Sequence, residues 1–292
     1  MGKLSLILII LVFSVFWTKG TEGGDEEKKQ HFVLVHGASH GGWCWYKLIT
    51  LLEKSGRKVT AVDLSGAGIS LTDSNTVFES DDYNRPLFSF LSALPPLSKV
   101  ILVGHSVGGG SVTEALCKFP DKISMAVYLA ADMTRPGGTA STAAPYPFLE
   151  DQRNKDGGEI WEYIYGEGAD KPPTAIIMKK RYIRRFYYNQ SPLEDVVLAS
   201  KLLRPAPFRA LQGLGKVPAS TDAEKIPRVY IKTAKDNLFD PVRQDRMVKM
   251  WPPSRFYVLN ESDHSAFFSA PDALFDCLVH AVSSLEPRKD FI

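Results

Sequence analysis

The chain has 292 residues, 44% hydrophobic, 11% aromatic and 23% charged, with 35 Lys and Arg against 33 Asp and Glu. A net charge of +2 on ordinary globular composition argues against a nucleic-acid binder, which gathers a large basic excess, and against a disordered chain. Three cysteines are too few for a disulfide scaffold, and the odd number leaves at least one thiol unpaired.

The first twenty residues hold Lys3 and Lys19 and no acid, so they account for the whole +2. Leu4 to Trp17 is an apolar run of 14 residues broken only by Ser5 and Ser14, with small residues Thr18 and Gly20 behind it. That layout predicts a cleaved signal peptide over 1–20, its apolar run short of the roughly 20 residues of a spanning helix, with an uncleaved anchor and a cryptic start as the alternatives. Residues 21–30 read as a polar linker. The sequons at Asn189 and Asn260 occur at chance frequency and add little to an export reading.

Beyond the linker, short Val- and Ile-rich runs alternate with helical patterns. Phe32–His36 predicts a strand, Trp43–Lys54 a helix stopped at Ser55-Gly56, and Lys58–Leu64 a second strand. Leu87–Leu94 predicts a short helix closed by Pro95-Pro96. Val100–His105 is the third strand, Val107–Phe119 a helix ended by Pro120, and Met125–Ala130 the fourth strand. Arg228–Thr233 and Arg255–Leu259 predict two more strands, each followed by a helix, Pro241–Met250 and Pro271–Leu285. Unbroken apolar strands separated by helices mean a mostly parallel, doubly wound α/β sheet covered on both faces. Its two blocks are 31–131 and 226–292. Residues 132–225 break the alternation and are rich in aromatics, among them Trp161, Tyr163, Tyr187 and Tyr188. They read as a helical cap over the carboxyl edge of the sheet, where open α/β sheets bind ligands.

Gly104-His105-Ser106-Val107-Gly108 is a G-x-S-x-G sequence placed between a strand and a helix, the setting of a nucleophile elbow. A Cβ at Gly104 or Gly108 would collide with the adjoining strand or helix. Ser106 needs a base, and His264 follows the last strand by a short loop that brings it to the same sheet edge. His36 ends the first strand and shapes the loop behind it. His105 points away from the serine, and His280 lies in the last helix. His264 needs an acid on its other nitrogen. Asp236 follows the strand Arg228–Thr233, Asp240 reads as the N-cap of a helix opened by Pro241, and Asp132 is the runner-up acid. The chain order Ser106, Asp236, His264 is that of an α/β-hydrolase. Oxyanion donors are expected from the N–H groups of Val107 and Ala38. Rival chemistries lack their residues: no lysine precedes Ser111 as in a phosphate loop, and His36 and His40 sit in a glycine loop, not on a metal-binding helix.

Together, His36-Gly37-Ala38-Ser39-His40-Gly41-Gly42-Trp43-Cys44-Trp45, Val62-Asp63-Leu64, Ile101 through Gly109 and Asp263-His264 resemble the plant methylesterase / hydroxynitrile lyase family of α/β-hydrolases, from about Gln30 to the C-terminus. The resemblance implies no cofactor and a buried pocket for a small, often aromatic, acyl group of a methyl ester; from the residues themselves no metal, no nucleic-acid partner and no membrane partner of the mature chain are expected. His40 and Trp161 are the expected substrate contacts. A homodimer stays open. The family's lyases carry threonine where Gly37 stands and lysine where Ser265 stands, which favours the esterase branch here. The commonest esterase pattern has cysteine at Ser39 and methionine at Ser265. These departures, with Asp63-Leu64-Ser65-Gly66-Ala67-Gly68, are similar to the branch acting on methyl indole-3-acetate. Methyl jasmonate, methyl salicylate and a chlorophyll-breakdown methyl ester remain open, as do a hydroxynitrile lyase and a non-catalytic hormone-binding protein. The leader implies an exported or endomembrane protein, whereas the resemblance implies the cytosol.

Overall fold

The computed structural model describes residues 30–138 and 159–285. The expected signal peptide, most of the linker and part of the insertion lie outside the described residues. Strands β1 (His31–Val35), β2 (Lys58–Val62), β3 (Val100–His105) and β4 (Ile123–Leu129) precede the insertion. Strands β5 (Trp161–Ile164), β6 (Ala175–Met178) and β7 (Ala206–Pro207) lie within it, and β8 (Arg228–Thr233) and β9 (Arg255–Leu259) follow. Six of them form one sheet in the order β2-β1-β3-β4-β8-β9, each adjacent pair parallel. β1 and β3 are buried along their whole length, as continuous apolar runs predict for a sheet covered on both faces.

The chain leaves β1 toward β2 on one side and returns to β3 on the other, so the winding reverses between β1 and β3. Crossovers are right-handed, which sends helix α1 (Tyr46–Lys54) and helix α3 (Gly108–Lys118) to opposite faces. Accordingly α1 packs on the last helix, Pro271–Leu285, while α3 packs on helix α2 (Ser80–Ser92) and helix Thr221–Lys225. The crevice outside the carboxyl ends of β1 and β3 is the natural ligand position. Register makes that edge even: Val35 pairs with both Val62 and Gly104, and His105 with Leu129.

Glycines let α3 approach this edge. A Cβ on Gly104 would lie 2.6 Å from Val112 Cγ2, and one on Gly108 would lie 2.5 Å from the His36 carbonyl oxygen. Gly109 is tighter still, since its Cβ would sit 2.0 Å from the Asp132 carbonyl oxygen. Backbone cannot yield as a side chain does. Gly109→Ala should therefore destabilise by ~3 kcal/mol, which calorimetry would read as a Tm drop of roughly 6–12 °C. An unchanged Tm would refute that packing.

Two elements depart from expectation. Helix α2 begins at Ser80, not Leu87, and carries Pro86 inside it. A mid-helix proline costs about 3 kcal/mol in isolation. Here Tyr83, Leu87 and Leu91 form one buried stripe, and Asp81 and Asp82 sit favourably in the first turn, so tertiary burial overrides the break. The cap is also not wholly helical. β5, β6 and β7 make a second, antiparallel sheet beside helices Lys180–Phe186 and Leu193–Leu202. Its strands carry Trp, Tyr and Ile residues, which suit a pleated surface once a partner strand exists. All three cysteines are free.

Candidate active site

Ser106 sits between β3 and α3 with φ +55°, a left-handed conformation that costs a non-glycine residue roughly 1–2 kcal/mol. The elbow is over-determined by neighbours: the Ser106 N–H donates to the Leu129 carbonyl, and its own carbonyl accepts from Gly109 and Asp132. Strain of this kind persists only where packing enforces it. The serine is buried, 5% exposed, just ahead of the α3 N-terminus.

β8 and β9 deliver the other two groups. Thr233 pairs with Leu259 at their carboxyl ends, so the loops bearing Asp236 and His264 emerge side by side. His264 Nδ1–H donates to Asp236 Oδ2 at 2.8 Å, and both side chains are fully buried. Asp236 Oδ1 accepts from the Leu238 and Phe239 N–H groups at 2.8 and 2.7 Å. Oδ2 accepts also from Thr233 Oγ1. A carboxylate so furnished is held in place and stays an acceptor. His264 Nε2, by contrast, has no hydrogen-bond partner among the described residues. Asp240 caps helix Pro241–Met250 through the N–H groups of Val242 and Arg243. Asp132, the runner-up acid, pairs with Arg243 at 3.1 Å, not with His264 Nδ1.

The loop after β1 lies against the elbow. A Cβ on Gly37 would stand 2.8 Å from Ser106 Cβ and 3.0 Å from His105 Nδ1. A threonine here, as in the lyases, would require the backbone to move. Neither the Ala38 nor the Val107 N–H is spent on a partner among the described residues, so both are available to a developing oxyanion. His36 anchors the loop: its Nε2 accepts from the Leu64 N–H, which leaves Nδ1–H to donate to the Gly37 carbonyl. Asp63 Oδ1 accepts from the Gly42 N–H, so Val62-Asp63-Leu64 also serves this loop.

His40, an expected substrate contact, has both ring nitrogens engaged within the protein. Nδ1–H donates to the Ala38 carbonyl at 2.8 Å, and Nε2 accepts from the Tyr188 hydroxyl at 2.7 Å. It thereby joins the loop after β1 to the cap. Trp161, the other expected contact, is buried at the head of β5 opposite Met178. The described contacts do not bring it to Ser106. Instead Tyr187 of the cap stacks on the His264 ring, with centroids 6.0 Å apart at 28°.

The contacts of three further groups escaped the sequence reading. Gln244, fully buried, donates to the Phe239 and Thr233 carbonyls and accepts from the Thr233 N–H, clamping the Asp236 turn. On a polar helix it carries no signal. Asp263 Oδ2 accepts from the Gln190 N–H and the Ser191 hydroxyl, tying the His264 loop to the cap. His105, expected to point away from the serine, donates its Nε2–H to the His264 carbonyl at 2.8 Å and ties the β3–α3 turn to the His264 loop.

Burial holds these structural histidines neutral. His40 falls to about 3, and His36 and His105 are also lowered, each mainly by desolvation. The unfolded chain protonates them below about pH 6.5, so unfolding takes up protons and stability is lost as pH falls from there toward 3. For His40 alone the slope is about 1.4 kcal/mol per pH unit. The urea midpoint should fall steadily between pH 6.5 and 4.5, and His40→Gln should flatten the fall. A midpoint independent of pH in that range would contradict the buried neutral state.

Residues 32–276 match the model of the "Alpha/beta hydrolase family". The chain is 66% identical over 267 residues to pheophorbidase of Raphanus sativus, covering 91% of this chain and 99% of the relative. It is 67% identical over 269 residues to pFDCC methylesterase MES16 of Arabidopsis thaliana, with the same coverages. The crystal structure of the methylesterase protein MES16 from Arabidopsis superimposes with a TM-score of 0.80 at 66% identity, over 88% of this chain and all of that one.

Proposed function

This chain belongs to the alpha/beta hydrolase family and, within it, to the plant methylesterases, which makes it a carboxylic ester hydrolase; from there we propose that Ser106, His264 and Asp236 form its catalytic triad and that it cleaves the methyl ester of a chlorophyll-breakdown product. The observation that carries the triad is the buried imidazole whose Nδ1–H is held by Asp236 while Nε2 stays unspent. Ser106 Oγ attacks the ester carbonyl as His264 Nε2 takes its proton. The Ala38 and Val107 N–H groups receive the oxyanion. Collapse leaves the acyl group on Ser106 and expels methanol, protonated by His264. Water then attacks with His264 as base, and a second collapse frees the acid and the serine.

The substrate reading rests on the two relatives at two-thirds identity, named pheophorbidase and pFDCC methylesterase. Methyl indole-3-acetate is the second reading, supported by Ser39, Ser265 and the Asp63–Gly68 segment. Residues 21–292 assayed on pheophorbide, methyl indole-3-acetate, methyl jasmonate and methyl salicylate should give a kcat/KM for pheophorbide at least about tenfold above the rest, a margin of ~1.4 kcal/mol. A lead for methyl indole-3-acetate would reverse the substrate order. No turnover of any methyl ester would sink the enzymatic reading.

A further inference from the structure

Among the buried polar atoms that make no well-formed hydrogen bond to the described residues are His264 Nε2, the hydroxyl of Tyr187, whose ring stacks on His264, and the hydroxyl of Ser39. The first is explained by the proposed chemistry, and the two hydroxyls are not. Tyr187 and Ser39 are each 2% exposed, so bulk water does not satisfy them. A buried polar group left unpaired costs about 1–3 kcal/mol. The two hydroxyls are close enough to interact with one another, so one O–H can turn to its neighbour and one O–H of the pair is left to donate elsewhere.

Their positions are set by the rest of the fold. The Tyr187 ring stacks on His264 and stands edge-on to His40, with centroids 5.2 Å apart at 84°. Ser39 has φ +65°, a second strained residue at the site, and its carbonyl is held by the Arg204 N–H at 3.0 Å. Backbone strain plus an unspent buried hydroxyl marks a group kept for something other than packing.

Ser39 directly follows Ala38, the proposed oxyanion donor, so the hydroxyl pair abuts the place where the ester carbonyl oxygen would lie. Consecutive Cα atoms are only about 3.8 Å apart. A methyl ester offers nothing polar on its alcohol side beyond the ether oxygen, and its carbonyl oxygen is taken by Ala38 and Val107. The donor left to the pair therefore addresses a third oxygen, on the acyl side and close to the ester. Burial pushes the Tyr187 phenol well above its ordinary range, so it remains a protonated donor at working pH.

We propose that Tyr187 and Ser39 form a polar subsite that binds a carbonyl oxygen on the acyl part of the substrate, adjacent to the scissile ester, and so set acyl specificity. The proposal rests on the esterase reading of Ser106 and His264. Its test pairs methyl 3-oxo-3-phenylpropanoate with methyl 3-phenylpropanoate, which differ only in that carbonyl. The wild-type protein should favour the oxo ester in kcat/KM. Tyr187→Phe should cut that preference about tenfold, mainly through KM, and Ser39→Ala several-fold. Dissociation constants for the two intact esters, measured on Ser106→Ala and on Ser106→Ala carrying Tyr187→Phe, give the same ratio without turnover. A preference for the oxo ester that survives both Tyr187→Phe and Ser39→Ala overturns the subsite, as does the absence of any preference in the parent proteins. Hydrolysis that persists in Ser106→Ala counts instead against the catalytic reading, and the binding ratio still decides the subsite.

Discussion

Ser106→Ala should lower kcat by about 10⁶ and leave the fold intact, with any residue of activity coming from the oxyanion donors and substrate binding. No other hydroxyl can substitute. Ser39, Ser262 and Ser265, the other buried serines of these loops, lie outside the turn between β3 and α3 that carries Ser106. The companion variant Ser106→Gly separates activity from stability. It should lose turnover equally, yet gain about 1 kcal/mol by relieving φ +55°, since glycine adopts the left-handed region freely. Turnover of pheophorbide or a simple methyl ester, read with a denaturation curve on each variant, checks both halves. Activity within tenfold of the wild type in either variant would remove Ser106 from the mechanism.

Asp236→Asn comes next, with an expected loss of about 10⁴ in kcat. The geometry dictates why the substitution is not mild. Oδ1 receives two backbone N–H donors, from Leu238 and Phe239, so the amide oxygen must occupy that side. The NH₂ group is then forced toward His264 Nδ1. The imidazole can satisfy it only by accepting at Nδ1 and moving its proton to Nε2. In that tautomer it cannot take the serine's proton. The NH₂ would also face the Thr233 hydroxyl, which now donates to Oδ2. Asp132→Asn is the control. Its carboxylate faces Arg243, so Asp132→Asn should cost far less in kcat than Asp236→Asn, though it weakens a largely buried ion pair. If the two variants exchange ranks, Asp132 is the acid.

The strands of the large sheet were legible because a parallel strand buried on both faces has almost no polar residues, and helices between such runs leave one sensible winding. The elbow was legible because its glycines answer to local contacts: Gly104 and Gly108 are needed by the backbone passing within a Cβ of them. Asp240 was legible as a cap from its place before Pro241. Helix α2 was misplaced since Pro86 speaks for a helix start, and only the burial of Tyr83 shows that the helix had begun two turns earlier. The cap's small sheet was missed for a related reason. β5 and β6 are four residues each, and such short pieces acquire a strand identity from the partner they meet.

Chain order and local pattern thus determined the sheet, the turn that carries Ser106 and the strand ends behind which Asp236 and His264 follow, because each is enforced within a few residues or by a repeating burial period. Which atom meets which was settled by folding. Nothing in the neighbourhood of Gln244 announces that it clamps the Asp236 turn, and nothing near His105 announces a bond to a carbonyl 159 residues away. His40 was expected at the substrate, but only folding shows that its two ring nitrogens meet Ala38 of its own loop and Tyr188 of the cap. Tyr187 was one aromatic among several in the insertion until the cap laid it on the His264 ring. Hydrogen bonds and ring contacts of this kind are short-ranged and directional, so they exist only once distant segments are brought within about 3 to 6 Å.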